Sequence, residues 1–195
     1  MGRWEPNARG RLEDAALQLY EECGFEQTTV AQIAERAGLT ERTFYRHFAD
    51  KREVLFWGAG SLQDLLVSEV DGARRDLSPM TTVSAALQAA AHSIFEERRD
   101  YARRRYGVIA ANPELQEREL IKLATLAAAL ADALRRRDVP EPVASLAAEA
   151  GIAVLKVSFE RWVNDKTATS LTQFIREAAD ELSAVTSRRR PARHD

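Results

Sequence analysis

The chain reads as an all-α protein of about nine helices, a short N-terminal helix-turn-helix followed by a larger helical body. Three observations predict this. Apolar residues recur at helical spacing along most of the 195 residues, with no strand-like alternation and no internal repeat. Helix-start signals punctuate the pattern at Thr29-x-x-Gln32, Asn112-Pro113 and Ser170-x-x-Gln173. Finally, Thr28 to Lys51 reads as two short helices joined by a tight turn.

Residues 1 to 8 form an arm ending near Asn7, a possible helix cap. Helix 1 follows, with the stripe Leu12, Ala15, Ala16, Leu19, Tyr20 and Cys23, and Gly24 ends it. A lone cysteine on such a stripe reads as a small core residue rather than a redox sensor, so Cys23 is given no function. Arg9 and Arg11 either reach a phosphate or the minor groove, or belong to a solvated first turn. Phe25 fills the space under the following helices.

Thr29 and Gln32 make a capping box, so helix 2 starts near Val30 with Val30, Ile33, Ala34 and Ala37 on its apolar side. Gly38 supplies the left-handed residue past its end, Leu39 turns back to the core, and Thr40 caps helix 3, Glu41 to Phe48. Phe44 and Phe48 face inward; Glu41, Arg42, Thr43, Tyr45, Arg46 and His47 face outward. An outward face of this kind on the second helix of a helix-turn-helix enters a DNA major groove.

The run GFEQTTVAQIAERAGLTERTFYRHFADKREVLF closely resembles the DNA-binding signature of TetR-family transcriptional regulators, over roughly Arg11 to Phe56. The resemblance implies base or adjacent backbone contacts by Glu41, Arg42, Thr43, Tyr45 and Arg46, and phosphate contacts by Thr29, His47 and Lys51. It also implies a dimer on a palindromic operator, most often a repressor that a small molecule releases.

Beyond this head, which is taken as residues 1–52, the body spans 53–187 and a basic tail, expected to be disordered, spans 188–195. A long helix 4 is expected from about Asp50 to Gly72, bridging head and body, with Val54, Leu55, Leu62, Leu65, Leu66 and Val70 inward. Gly58 and Gly60 within it mark either a pivot or a close approach. After Ser78-Pro79, Thr81 or Thr82 caps helix 5, Val83 to about Arg99. Helix 6 covers Tyr101 to Ala111, helix 7 runs from Pro113 to about Arg137, and Val139-Pro140-Glu141-Pro142 breaks the chain. Helix 8, Val143 to about Asn164, carries two apolar stripes, and helix 9 shows Leu171, Phe174, Ile175, Ala178, Leu182 and Val185 in helical spacing.

A helix apolar on two sides touches both its own core and a partner. Ala147, Ala150 and Val154 with Phe174, Ala178 and Leu182 therefore suit an isologous homodimer seam, unless these stripes face only the internal core. The body also holds Trp57, His92, Phe95, Arg105, Tyr106, Phe159 and Trp162, a set suited to lining a small-molecule site or simply to filling a core. The resemblance puts the family's ligand cavity among these same helices.

Hydrophobic content of 45% suffices for a packed core, and one cysteine excludes an internal disulfide. No apolar run approaches the ~20 residues that span a bilayer, and the N-terminus lacks a signal-peptide core, so a cytoplasmic protein without membrane partners is expected. The net charge of −2 sits awkwardly with DNA binding, and residues 1–57 carry eight Lys/Arg against ten Asp/Glu. That balance leaves open a helical small-molecule-binding protein that no longer reads an operator. An enzyme is not expected, because no phosphate-binding glycine loop, nucleophile elbow, Cys/His cluster or Glu-x-x-His pair is present, and no metal or cofactor is implied. Arg103 to Arg105 hold an acidic ligand or form a solvated turn.

Overall fold

The computed structural model describes residues 7–186, so the expectation for the 188–195 tail lies outside the described residues. Nine α-helices and no strand occur among them: α1 (Ala8–Cys23), α2 (Val30–Arg36), α3 (Glu41–His47), α4 (Ala59–Gly72), α5 (Pro79–Ala90), α6 (Arg99–Ala110), α7 (Pro113–Arg136), α8 (Glu141–Asn164) and α9 (Leu171–Thr186). They fall into two compact units, one running through Ser61 and taking in Asp100–Lys122, the other formed by Leu62–Arg99 and the chain from Leu123 onward.

In the first unit, α1 begins where the Asn7 side chain accepts from the Gly10 amide and ends at Gly24, whose φ of 86° is open to glycine. Leu12, Ala15, Ala16, Leu19 and Tyr20 are buried as expected, together with Leu17. Cys23 is exposed instead, because the helix ends there and its last residue looks past the core. The chain between α3 and α4 departs further from expectation. Asp50 accepts from the amides of Arg52 and Glu53, and Glu53–Leu55 wind as a 3₁₀ turn. Val54, Leu55 and Phe56 are then buried in succession, which an α-helix with one apolar stripe cannot achieve. The expected long helix 4 therefore starts only at Ala59, with Gly58 before it and Gly60 in its first turn. A Cβ on either glycine would meet nothing within 4 Å, so close packing does not explain them.

The head's core is completed from far along the sequence. Val108, Ile109 and Leu115 of α6 and α7 join Leu12, Leu17, Phe25, Ile33, Phe44 and Phe48 in one apolar cluster. Ion pairs reinforce the join: Arg104 with Glu21, Arg52 with Glu114, and Glu53 with both Arg118 and Lys122. The sequence reading ends this head at residue 52; the compact unit extends to Ser61 and includes α6 and the start of α7.

In the second unit, α5 is capped by Ser78, whose Oγ accepts from the Thr81 amide, with Pro79 at the first helical position; Thr82, one of the expected caps, is buried. The helix does not reach Arg99. Ala91–Phe95 form a π turn and Glu96–Arg98 a 3₁₀ turn, a change of winding fixed by partners on both sides. Phe95 meets Phe159, Glu96 accepts from the amide and hydroxyl of Thr172, and Arg99 donates to the carbonyls of Trp162, Asp165 and Thr167. The central helix α8 packs on α5 and α9. Ala144, Ala148 and Gly151 keep these axes close, and Ser158 Oγ donates to the Phe174 carbonyl at 3.1 Å. By length and composition α8 is apolar enough to cross a bilayer, contrary to the expectation that no segment would be; packing on two neighbours accounts for that composition.

Candidate nucleic-acid interface

The second helix of the helix-turn-helix is held by short-range bonds. Thr29 Oγ1 accepts from the Gln32 amide while Gln32 Oε1 accepts from the Thr29 amide, the full capping box, and so α2 starts where the sequence predicts. At its other end Gly38, with φ 65°, lets its own amide reach Glu35 O and that of Leu39 reach Ala34 O. This pair of bonds is a Schellman turn. Thr40 then caps α3, accepting from the Thr43 amide at 3.2 Å.

Phe44 is fully buried and Phe48 nearly so, their rings 5.4 Å apart, which fixes the rotation of α3 about its axis. Glu41, Arg42, Tyr45 and Arg46 consequently point to solvent; Tyr45 is 57% exposed, with its ring edge against Phe44. No ion pair ties down Arg42 or Arg46 among the described residues. Thr43 is half-buried, sharing a hydroxyl bond with Thr40.

The three residues assigned to phosphate sit differently from one another. Thr29 is exposed at the start of α2. His47 is half-buried, its Nε2 enclosed without a partner, and burial together with Arg46 and Arg9 holds its pKa below the ordinary value. Lys51 turns its ammonium inward to the carbonyls of Phe25, Glu26 and Thr28 at 2.8, 3.2 and 3.0 Å, so it does not share the outward face of Tyr45. Nor do the two N-terminal arginines reach outward as either reading supposed. Arg9 stacks 3.9 Å above the Trp57 ring, and Arg11 donates to the Ala37 carbonyl at the end of α2. Sequence reasoning missed Thr28, a buried hydroxyl that donates to Gly24 O and Leu19 O, and Tyr20, whose hydroxyl donates to Lys51 O at 2.6 Å while burial raises its pKa. Helical spacing signals the burial of Tyr20 but not its bond to Lys51, 31 residues away, and it does not mark Thr28, whose partners lie four and nine residues back.

The residues named for a ligand site divide between the units. Trp57, Arg105 and Tyr106 belong to the first; His92, Phe95, Phe159 and Trp162 belong to the second. Arg105 spends its guanidinium on Leu55 O and Glu119 and lies over the Phe56 ring. His92 is exposed and pairs with Glu96. What the fold assembles is an aromatic row, Phe95 to Phe159 at 5.6 Å and Phe159 to Trp162 at 5.7 Å, beside the π turn. Of the residues named for a dimer seam, Ala147, Val154, Phe174 and Ala178 are buried within this single chain, while Ala150 and Leu182 are half-buried. The exposed large apolar residues of α8 are its neighbours Val143, Leu146 and Val157, with Leu146 71% exposed.

Comparison with known proteins bears on both parts of the chain. Residues 12–56 match the bacterial regulatory proteins of the tetR family, and residues 77–187 match the MftR C-terminal domain. A Mycobacterium tuberculosis protein assigned to transcriptional regulation of mycofactocin biosynthesis, MftR, is 27% identical over 194 residues, covering 94% of this chain and 93% of its own length. Among solved structures, the complex of SmeT with triclosan, SmeT being the repressor of a Stenotrophomonas maltophilia multidrug efflux pump, superposes with a TM-score of 0.62 at 21% identity, over 91% of this chain and 90% of that one. Thermus thermophilus FadR, a repressor solved with lauroyl-CoA, gives a TM-score of 0.55 at 18% identity, over 96% and 100% of the two chains.

Proposed function

We propose, from the premise that this chain belongs to the TetR family of bacterial transcriptional regulators, that it binds a palindromic operator as a homodimer and is released by a small molecule. The observation that carries the DNA part is the outward set Glu41, Arg42, Tyr45 and Arg46 on a doubly capped helix-turn-helix. The acidic balance of the head does not oppose this. Glu21 pairs with Arg104, and Glu53 with Arg118 and Lys122, cations from beyond residue 57, leaving Arg42 and Arg46 uncommitted where a duplex would lie. Arginine can bond guanine bidentately, glutamate can accept from cytosine, and the tyrosine ring can pack on a thymine methyl.

One head covers one half-site, so specificity requires two heads, about 34–36 Å or a multiple apart along the duplex. Leu146, Val143 and Val157 of α8, with Val185 and the half-buried Leu182 of α9, offer the apolar surface for the second copy. The inducer has an apolar body suited to the aromatic row Phe95, Phe159 and Trp162. Lauroyl-CoA and triclosan, the molecules in the two solved complexes, share that character. A ligand that binds one arrangement of the dimer better than the other weakens operator binding through a single equilibrium.

The test is selection of bound duplexes from a randomised DNA pool, followed by titration of Arg42→Ala on the selected site. The variant should lose ~1–3 kcal/mol per half-site and relax the preference at one base pair. A pool that yields no palindromic consensus with the wild-type protein sinks the operator reading and leaves a ligand-binding helical protein.

A further inference from the structure

An ammonium group has three protons, and in Lys51 all three have main-chain acceptors. The carbonyls of Phe25, Glu26 and Thr28 converge on Nζ at 2.8, 3.2 and 3.0 Å, and the Phe25 ring lies 4.4 Å away. These carbonyls form the connection between α1 and α2, ending one residue before the Thr29 cap. Lys51 itself stands just beyond α3, and its own carbonyl accepts from the buried Tyr20 hydroxyl of α1 at 2.6 Å. One side chain therefore ties the exit of α3 to the entry of α2 across 23 to 26 residues of sequence. A compact, three-donor cation suits a ring of carbonyls; the planar fork of an arginine does not have that geometry.

We propose that Lys51 serves DNA binding as a positioning residue, fixing the angle between α2 and α3, and not as a phosphate contact. This rests on the operator-binding reading above. For a phosphate contact to form, the ammonium would have to leave its carbonyls, and in doing so would free the turn that carries Thr29. The two roles differ in salt dependence, because only a neutralised phosphate releases counterions: two contacts per dimer contribute about 1.8 to the slope of log affinity against log salt.

The experiment uses full-length Lys51→Met and Lys51→Arg, each titrated on the selected operator at several salt concentrations, with amide exchange of residues 25–29 measured without DNA. Both variants should bind at least ~10-fold more weakly at fixed salt with the wild-type slope, and exchange in the turn should quicken. A slope lower by about 1.8 in the methionine variant, or wild-type affinity in the arginine variant, overturns the proposal. If Lys51→Met does not fold, Lys51→Arg decides alone, since it keeps the charge and loses the fit. Wild-type protein that binds no duplex would refute the operator reading but leave the exchange measurement valid, and unchanged exchange would overturn the clamp by itself.

Discussion

The unit that carries α1 to α3 and the unit built on α5, α8 and α9 hold themselves together in different ways. In the first, directed bonds to the main chain set the short helices over an apolar cluster: the caps of Thr29 and Thr40, the Lys51 carbonyl ring, Thr28 on Gly24 O, and Arg11 on Ala37 O. In the second, long helices meet along their lengths, α8 lying against α5 and α9 through alanines, Gly151 and Ser158, and the directed bonds gather at the helix ends, where Arg99 donates to the carbonyls of Trp162, Asp165 and Thr167. Directed bonds fix angles, and a reading head needs its two short helices at one angle to meet a groove. Small residues on α8 let its axis approach those of α5 and α9 closely.

The largest blow to the first unit should come from Phe44→Ala, which empties the centre of the head core and costs about 3–5 kcal/mol in chemical denaturation. Operator binding should disappear with it. If the two units melt separately by calorimetry, only the first transition should move; a shift of both would show that they are one cooperative block.

Gly151→Ala is the counterpart in the second unit. The added Cβ would lie 2.3 Å from Cγ1 of Val83, a stiff β-branched side chain. Overpacking costs about 1–3 kcal/mol, partly offset by up to ~1 kcal/mol of helix propensity, so a net loss of about 1–2 kcal/mol is expected. Ligand-free operator affinity should stay within about tenfold of wild type while the response to an inducer changes. An equal loss in operator affinity would erase the distinction between the units.

Matched caps sharpen the comparison further. Thr29→Ala and Ser78→Ala should each cost ~1 kcal/mol of stability, since each removes one amide acceptor at a helix start. Gel-shift titration should then separate them, with weaker DNA binding for Thr29→Ala and none of that effect for Ser78→Ala.

The smallest effect is one of pH. His47 has its pKa lowered from the ordinary 6.5, first by burial and then by Arg46 and Arg9. The folded head thus disfavours the protonated ring, and stability should fall as pH drops below about 6.5 toward the lowered folded value. His47→Gln should flatten that part of a melting-temperature profile against pH. A slope that survives the substitution would assign the proton uptake elsewhere.

The sequence by itself determined the parts whose causes lie within a turn of one another. Thr29 with Gln32, Gly38 with Glu35, Leu39 with Ala34, and Thr40 with Thr43 are bonds spanning three to five residues, and each stands where spacing puts it. The pair Phe44 and Phe48, four apart, orients α3 for the same reason, and with it the exposure of Arg42, Tyr45 and Arg46. Tertiary structure decided everything whose cause lies far along the chain. Spacing cannot say that Val108, Ile109 and Leu115 finish the head core, that Arg104 pairs with Glu21, or that α5 yields to a π turn where Phe95 meets Phe159. It shows that α8 has two apolar stripes but not that its own chain covers one of them only in part, with Ala147 and Val154 buried and Leu146 open. Lys51 shows the limit best. The resemblance implies a phosphate contact for it, and only the fold shows three carbonyls within reach of its three protons.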